Sequence, residues 1–282
     1  MRYRRLRSPL TRLHTATILS HRSAGRGYYR LVLKAPEAAA AAVPGQFVML
    51  RVTENMDPLL ARPFGICSLP SKTSVEILYR VVGRGTTLLT RMRAGQTLSL
   101  LGPLGKGFPM PEKAVTPVLV AGGSGFPPLL FLAQRMRSRA HFFVGARNKE
   151  CLPPVCILKN LKDHTANVHV ATEDGSAGQK GLSTDILDNF LTNREKKGLV
   201  TVYACGPHAM LAAVSRIAAQ HAIPCYVSTE ERMACGLGAC MGCSIPMKAG
   251  GYKRACKEGP VFDAADVDWA ERIVLPVPQK KR

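Results

Sequence analysis

The chain is short of acidic residues: 19 Asp and Glu stand against 39 Lys and Arg, a formal charge of +20 over 282 residues. With 25 glycines and 20 prolines it has too little of either for a collagen-like or low-complexity chain, and 46% apolar residues exclude a disordered one. Nine cysteines at this length are too sparse for a disulfide scaffold, and their number is odd. The basic N-terminus is not followed by an apolar leader with a small-residue cleavage site. One uncharged stretch, residues 114–134, is long enough to span a bilayer, but Pro117, Pro127, Pro128 and three glycines interrupt it, which suits strand, loop and helix instead. These exclusions leave a chain that buries a core, expected in the cytoplasm with reduced cysteines, and long enough for two domains and an appendage.

A positive surplus of this size first suggests a polyanionic partner. Its distribution argues otherwise. Residues 1–116 hold 18 basic and 5 acidic side chains, residues 117–227 hold 12 and 7, and residues 228–282 hold 9 and 7. Arg2, Arg4, Arg5, Arg7, Arg12, Lys280, Lys281 and Arg282 fall on the two ends, where tails are expected. No basic helix or aromatic-basic stripe accompanies the charge, so no nucleic-acid partner is expected.

The first third alternates short apolar runs with turn residues, at 15–19, 28–33, 46–52, 75–82 and 97–101. That spacing predicts a β-barrel. From residue 118 the rhythm changes to strand candidates at 118–121, 141–144, 168–171, 200–204 and 225–227, with helical patterns at 127–136, 182–191 and 208–220. Strands alternating with helices predict a parallel sheet covered on both faces. The expected layout is a basic tail (1–12), a barrel (13–116), an α/β domain (117–227) and a cysteine module with the C-terminal tail (228–282).

Cys235, Cys240 and Cys243 follow the plant-type C-x4-C-x2-C spacing, with twelve residues before Cys256. Four thiolates are the ligand set of a [2Fe-2S] cluster, and Gly236, Gly238 and Gly242 let a loop wrap closely around one. The alternative is structural zinc, which normally uses two separated C-x2-C knuckles. Cys67, Cys151, Cys156 and Cys225 lack such spacing and read as buried small hydrophobes.

In the barrel, Arg62-Pro63-Phe64-Gly65 places an Arg beside a turn, where a guanidinium can hold a phosphate bidentately. Gly83-Arg84-Gly85-Thr86 opens a short helix whose N–H groups face a pyrophosphate in this reading. In the α/β half, the turn carrying Gly122, Gly123 and Gly125, the stretch 172–176, and Cys205-Gly206-Pro207 each follow a strand, at the edge where open sheets bind ligands. Each motif taken singly is also a common structural turn.

Together and in this order they resemble the ferredoxin-reductase flavoprotein family, whose barrel binds FAD through an Arg-x-Tyr-Ser or Arg-Pro-x-Ser element and a later Gly-Thr. The resemblance implies that Arg62 and Pro63 lie at the FAD phosphates and Phe64 against the flavin. It also implies that Leu78, Tyr79, Arg80, Gly85 and Thr86 complete the FAD contacts. Gly122, Gly123, Gly125, Cys205, Gly206 and Pro207 then serve the nicotinamide nucleotide. Glu173 and Asp174 would disfavour a 2′-phosphate, so the nucleotide is expected to be NAD. Gly65 departs from the pattern: it stands where the family has a Ser whose hydroxyl reaches the flavin, and the Gly65 N–H, Cys67 or Ser68 are the candidates to replace it.

Residues 233–243 and 252–262 resemble the electron-transfer subunits of NAD-linked (class B) dihydroorotate dehydrogenases. That resemblance implies an FMN-containing catalytic partner that oxidises dihydroorotate in UMP synthesis, a heterotetramer of two subunits of each kind, and electron flow through [2Fe-2S] (Cys235, Cys240, Cys243, Cys256) and FAD to NAD+. No side chain of this chain is then needed as an acid-base catalyst. Two rivals are the small subunit of a ferredoxin:NADP or sulfide-type oxidoreductase on the same fold, and a basic zinc- and nucleic-acid-binding protein.

Overall fold

A computed structural model describes residues 12–53, 55–136, 140–154, 157, 165–194 and 198–270; residues 1–11 and 271–282 and Cys156 lie outside them, while Arg12, expected in the N-terminal tail, opens the first strand. Six antiparallel strands close a barrel in the order β1-β2-β5-β4-β3-β6. They are β1 (Arg12–Gly25), β2 (Tyr28–Lys34), β3 (Phe47–Arg51), β4 (Arg62–Ser71), β5 (Ser74–Arg80) and β6 (Thr97–Leu104). In β6 Leu98 and Leu100 point into the barrel core and alternate with more exposed neighbours, while Leu104 at its end packs toward the cysteine segment. Two short helices, α1 (Pro36–Ala41) and α2 (Arg84–Leu89), join strands of the barrel.

β4 is where the structure departs most from expectation. The stretch beginning at Arg62, expected as a turn, is a ten-residue strand. Pro63, Gly65 and Pro70 disguise it. The ladder with β5 shifts register between Ile66 and Ser68 and again before Ser71, and such bulges tolerate proline and glycine. Phe47 pairs with Gly65 and Leu50 with Arg62, so β3 sets where the Arg62–Gly65 side of the strand points.

The second layer is a seven-stranded sheet in the order β10-β9-β8-β7-β11-β12-β15. Its strands are β7 (Thr116–Gly122), β8 (Ala140–Ala146), β9 (Thr165–Thr172), β10 (Gln179–Lys180), β11 (Val200–Cys205), β12 (Cys225–Ser228) and β15 (Val261–Asp263). β11 is buried along its whole length, as a parallel strand with helices on both faces must be. Helices α3 (Phe126–Arg135), α4 (Ser183–Asn193) and α5 (His208–Gln220) cover it. α3 is buried from Phe126 to Ala133 and packs against both the sheet and β4, with Phe131 reaching the barrel core. A helix apolar on all sides fits this position between two layers. Its Pro127 and Pro128 lie in the first turn, where backbone N–H groups lack helical partners in any case.

After β12 comes the cysteine-bearing segment with a hairpin, β13 (Ser244–Pro246) and β14 (Tyr252–Arg254). The chain then returns to the sheet. β15 pairs antiparallel with β12, through Tyr226 with Asp263 and Ser228 with Val261. Just upstream, the Lys106 N–H of the barrel donates to the Gly259 carbonyl, and the Thr229 N–H donates to the Pro260 carbonyl at 2.9 Å. Beyond β15, Trp269 donates its indole N–H to the Ser215 hydroxyl and to the Ala264 carbonyl, both at 3.0 Å, pinning the segment to α5. The cysteine segment is therefore stitched into both larger layers, which its loss of periodicity did not foretell.

Phe262 is 6% exposed and belongs to the core shared by the sheet and the cysteine segment. Phe262→Ala is expected to destabilise the protein by about 3–5 kcal/mol, with a single denaturation midpoint lowered for far-UV ellipticity and visible absorbance alike. A second expectation concerns pH. His141 and His169 stack with Phe143 and Phe190 between the sheet and α4, His169 lying 4.3 Å from Phe143 and His141 4.6 Å from Phe190. Burial holds both imidazoles below the ordinary value of 6.5, so the unfolded chain binds protons that the fold excludes. Their contribution is complete above that value and is lost as pH falls below it. Denaturation midpoints should drop from mildly alkaline to mildly acidic buffer, and His169→Phe should flatten that slope.

Candidate functional site

A cleft of about 330 Å³ opens where the barrel, the sheet and the cysteine segment meet. The barrel contributes Arg62, Pro63, Phe64 and Gly65 of β4, Leu78, Tyr79 and Arg80 of β5, and Thr86 of α2. The Tyr79 hydroxyl lies 2.9 Å from His21 Nε2, and His21 Nδ1 lies 2.9 Å from the Met92 carbonyl. A carbonyl only accepts, so Nδ1 carries the proton and Nε2 accepts from the phenol. Tyr79 is thereby fixed in orientation, and burial keeps its phenol protonated. Phe64 meets it edge-on at 5.6 Å. Arg80 lies over the Tyr28 ring at 5.9 Å, while Arg62 is held by the Leu60 carbonyl.

The Gly-Arg-Gly-Thr turn is closed by the side chain of Thr86. The Thr86 hydroxyl accepts the N–H groups of Val82 and Gly83 and donates to the Gly83 carbonyl, so those donors are already used within the turn. Gly85 does not line the cleft; a Cβ there would stand 3.0 Å from Arg62 Nε, so this glycine makes room for the guanidinium. On the barrel side the charged side chains lining the cleft are Arg62 and Arg80.

On the sheet side the cleft lies at the carboxyl ends of β7 and β11. The chain leaves β7 toward β8 on one side of the sheet, and β11 leads to β12 on the other, so this is the switch point at which open α/β sheets bind ligands. The glycines here divide by role. A Cβ on Gly125 would be 2.3 Å from the Cys205 carbonyl oxygen, and one on Gly206 would be 3.0 Å from the Gly122 nitrogen. Gly122, Gly125 and Gly206 therefore interlock the two turns by backbone contact. Gly123 has φ +55° and open space beside it, the position a ligand can approach. Ser124 and Cys205 line the cleft, whereas Gly122, Gly123, Gly125, Gly206 and Pro207 stand behind or beside its wall.

The third wall comes from the segment after β12: Ser228, Thr229, Glu230, Glu231 and Met233, with Pro260. Sequence reasoning missed these residues; their signal was position, between the carboxyl end of a sheet strand and the first cysteine. Burial raises the Cys205 thiol well above its usual range, the nearby Glu230 charge raises it further, and a hydrogen bond from Ser228 partly opposes both. Cys205 is thus a protonated thiol. Glu230 keeps contact with solvent, yet the protein around it raises its carboxyl pKa.

Gly65 faces Pro128, whose ring lies 3.4 Å from where a Cβ would be. Ser68 does not replace the missing hydroxyl, because it is buried and donates to Glu76, and neither it nor Cys67 lines the cleft. The hydroxyls at hand are those of Ser124, Ser228 and Thr229.

The four spaced cysteines lie as two pairs. The Cys240 thiol hydrogen-bonds to Cys235, and Cys256 hydrogen-bonds to Cys243. Two pairs suit a binuclear cluster with two thiolates for each iron better than one tetrahedral zinc. Burial pushes the Cys235 thiol up, but backbone N–H groups of Cys240, Leu237 and Ala239 and the Cys240 thiol outweigh it and bring it to about 6. Amides aimed at sulfur are what a thiolate-bound cluster needs, so these residues fit one. Cys256 is pushed up to about 12, by burial first and then by Cys243.

The loop is held from below by Arg254. Its guanidinium donates to the Gly238 carbonyl at 2.7 Å and to both carboxylate oxygens of Glu258. Hydrogen bonding from Arg254 brings Glu258 down to about 2, so this pair persists throughout the neutral range and is lost only as pH falls toward that value. Gly236 and Gly238 have φ +68° and +78°, and Cβ atoms there would stand 2.9 Å from Met49 and Lys257.

The fold and this three-walled cleft define a ferredoxin-reductase-type flavoprotein with an iron–sulfur module at its C-terminal end. Residues 11–108 match the oxidoreductase FAD-binding domain, 119–216 the oxidoreductase NAD-binding domain, and 230–268 the iron-sulfur cluster binding domain of dihydroorotate dehydrogenase B. The chain is 36% identical over 267 residues to the dihydroorotate dehydrogenase B (NAD(+)) electron transfer subunit of Desulforamulus reducens, covering 92% of this chain and all (100%) of that one. It is 37% identical over 258 residues to that of Geobacillus thermodenitrificans, covering 89% and 96%. Among solved structures, that of an NADH-dependent reduced ferredoxin-NADP oxidoreductase superposes with TM-score 0.78 at 28% identity, covering 90% of each chain. A ferredoxin reductase of carbazole 1,9a-dioxygenase shares the fold, with TM-score 0.63 and 20% identity over 76% of this chain and 67% of that one. The chain belongs to the family of electron transfer subunits of NAD(+)-linked dihydroorotate dehydrogenase B. The ferredoxin:NADP and zinc-protein alternatives are not favoured.

Arg254→Ala removes the bond to Gly238 and frees Glu258. Purified protein is expected to carry less iron per chain with flavin content unchanged, as metal and flavin analysis would measure.

Proposed function

We propose that this chain passes electrons from an FMN-containing catalytic subunit, which oxidises dihydroorotate, to NAD+ for pyrimidine synthesis. The observation that carries this reading is the three-walled cleft: an FAD-type barrel, a nucleotide-type switch point and the cysteine segment all line one space. When bound, the cluster carries single electrons, FAD converts them to a hydride pair, and NAD+ accepts the hydride.

The chain's own residues bind and orient. Arg62 and Arg80 hold the FAD phosphates, and Phe64, Leu78 and Tyr79 form the wall for its ring. Gly85 and Thr86 support Arg62 and the turn beside it. Gly122, Gly123, Gly125, Gly206 and Pro207 shape the NAD side, where the neutral Cys205 thiol adds no charge at the nicotinamide. Cys235, Cys240, Cys243 and Cys256 ligate the cluster. No residue transfers a proton to substrate, because dihydroorotate is oxidised on the partner.

Cys240 is exposed, and beside it Leu237 and Met241 are 55% and 49% exposed. This uncharged tip around the outermost thiol is the face for the catalytic subunit, in an assembly of two subunits of each kind that native mass spectrometry would count. All eight described cysteines are free, which supports a cytoplasmic location, where thiols stay reduced. No helix among the described residues is long and apolar enough to cross a membrane.

The isolated chain, loaded with both cofactors, is expected to oxidise NADH with artificial acceptors and to leave dihydroorotate untouched. Dihydroorotate turnover by the pure chain would overturn this assignment.

A further inference from the structure

The cleft and the cysteine loop meet at one side chain. Met233 lines the cleft and is also half-buried against the apolar layer that contains Phe47, Met49, Leu104, Cys243 and Cys256. Cys235 follows it two residues later. The turn carrying Cys235 lies directly on the barrel, since a Cβ on Gly236 would be 2.9 Å from Met49 and 3.2 Å from Leu104. A second connection runs from Cys256 to Pro260 at the cleft, but it is longer and bound elsewhere: the Glu258 carboxylate to Arg254, and the Gly259 carbonyl to Lys106.

Building on the electron-transfer reading above, we propose that Met233 is the bridging residue between the cluster site and the flavin site. Electron transfer weakens exponentially with the gap crossed, and more steeply through empty space than through packed atoms. A long, unbranched, polarizable thioether fills such a gap closely. Methionine also carries no titratable proton, so passage along it does not couple to the protonation of Glu230 or Cys205 nearby. Met233 itself is neither oxidised nor reduced.

The step can be run with this chain alone in the reverse direction. NADH gives a hydride to FAD and leaves as NAD+. The reduced flavin would then pass one of its two electrons to the oxidised cluster and keep the other.

Full-length chain reconstituted with FAD and cluster would be mixed with excess NADH anaerobically in a stopped-flow instrument, following flavin and cluster bleaching separately. In Met233→Ala the cluster phase should slow several-fold relative to the flavin phase of the same chain, with both midpoint potentials at wild-type values. Met233→Leu, which keeps the gap filled, should restore most of the rate. A Met233→Ala cluster phase at wild-type speed, with iron and flavin content intact, would overturn the proposal. If the alanine chain loses either cofactor, Met233→Val, which shortens the reach but keeps the wall apolar, is judged by the same two phases. Failure of the underlying reading would look different, since then NADH would bleach neither cofactor in the unaltered chain.

Discussion

The arrangement depends on five residues, Gly259 to Asp263, wedged between the barrel and the sheet. Gly105 and Gly45 of the barrel come so close that Cβ atoms there would meet the Gly259 carbonyl at 2.5 Å and Val261 at 2.9 Å. On the other side, Val261 to Asp263 form the edge strand of the sheet. A strand cannot shift along its ladder without turning its buried side chains outward, so the register of this one fixes the distance between the two larger layers. It fixes the cysteines as well, since Cys256 lies just upstream on the same chain. Three binding sites are therefore held in one frame by a segment short enough to be stiff.

Around that frame, charge is used sparingly. The barrel side of the cleft presents Arg62 and Arg80, and the opposing wall carries Glu230 and Glu231. Near the switch point burial keeps the Cys205 thiol protonated, and the surrounding protein raises the carboxyl of Glu230. At the cysteine loop the opposite holds, because amides converge on Cys235 and favour its thiolate.

Much of this was legible from the chain. The cysteine spacing, the change from short alternating runs to continuous buried ones, and the glycine-rich turns each reflect a local requirement that only certain residues meet. β4 was not legible, because Pro63, Gly65 and Pro70 carry the marks of a turn, and only pairing with β3 and β5 makes them a bulged strand. The packing of Gly85 was not legible either, because its neighbour is Arg62, twenty-three positions earlier and on another element. Glu230 and Glu231 had no pattern of their own to reveal them, and Met233 and Pro260, though inside the stretches that carry the family resemblance, bore no mark of lining a cleft.

By itself the sequence determined the kinds of site present and their order along the chain, because ligand spacing, turn glycines and hydrophobic period are properties of near neighbours. It also determined that the surplus charge lies toward the first third and the ends. Only the tertiary structure decided that the barrel, the switch point of the sheet and the segment leading to the cysteines line one cleft, and that Met233 lies both on that cleft and against the apolar layer containing Cys243 and Cys256. Those are contacts between residues far apart in sequence, and they exist only once β15 has closed onto β12 and brought the cysteine loop against the barrel.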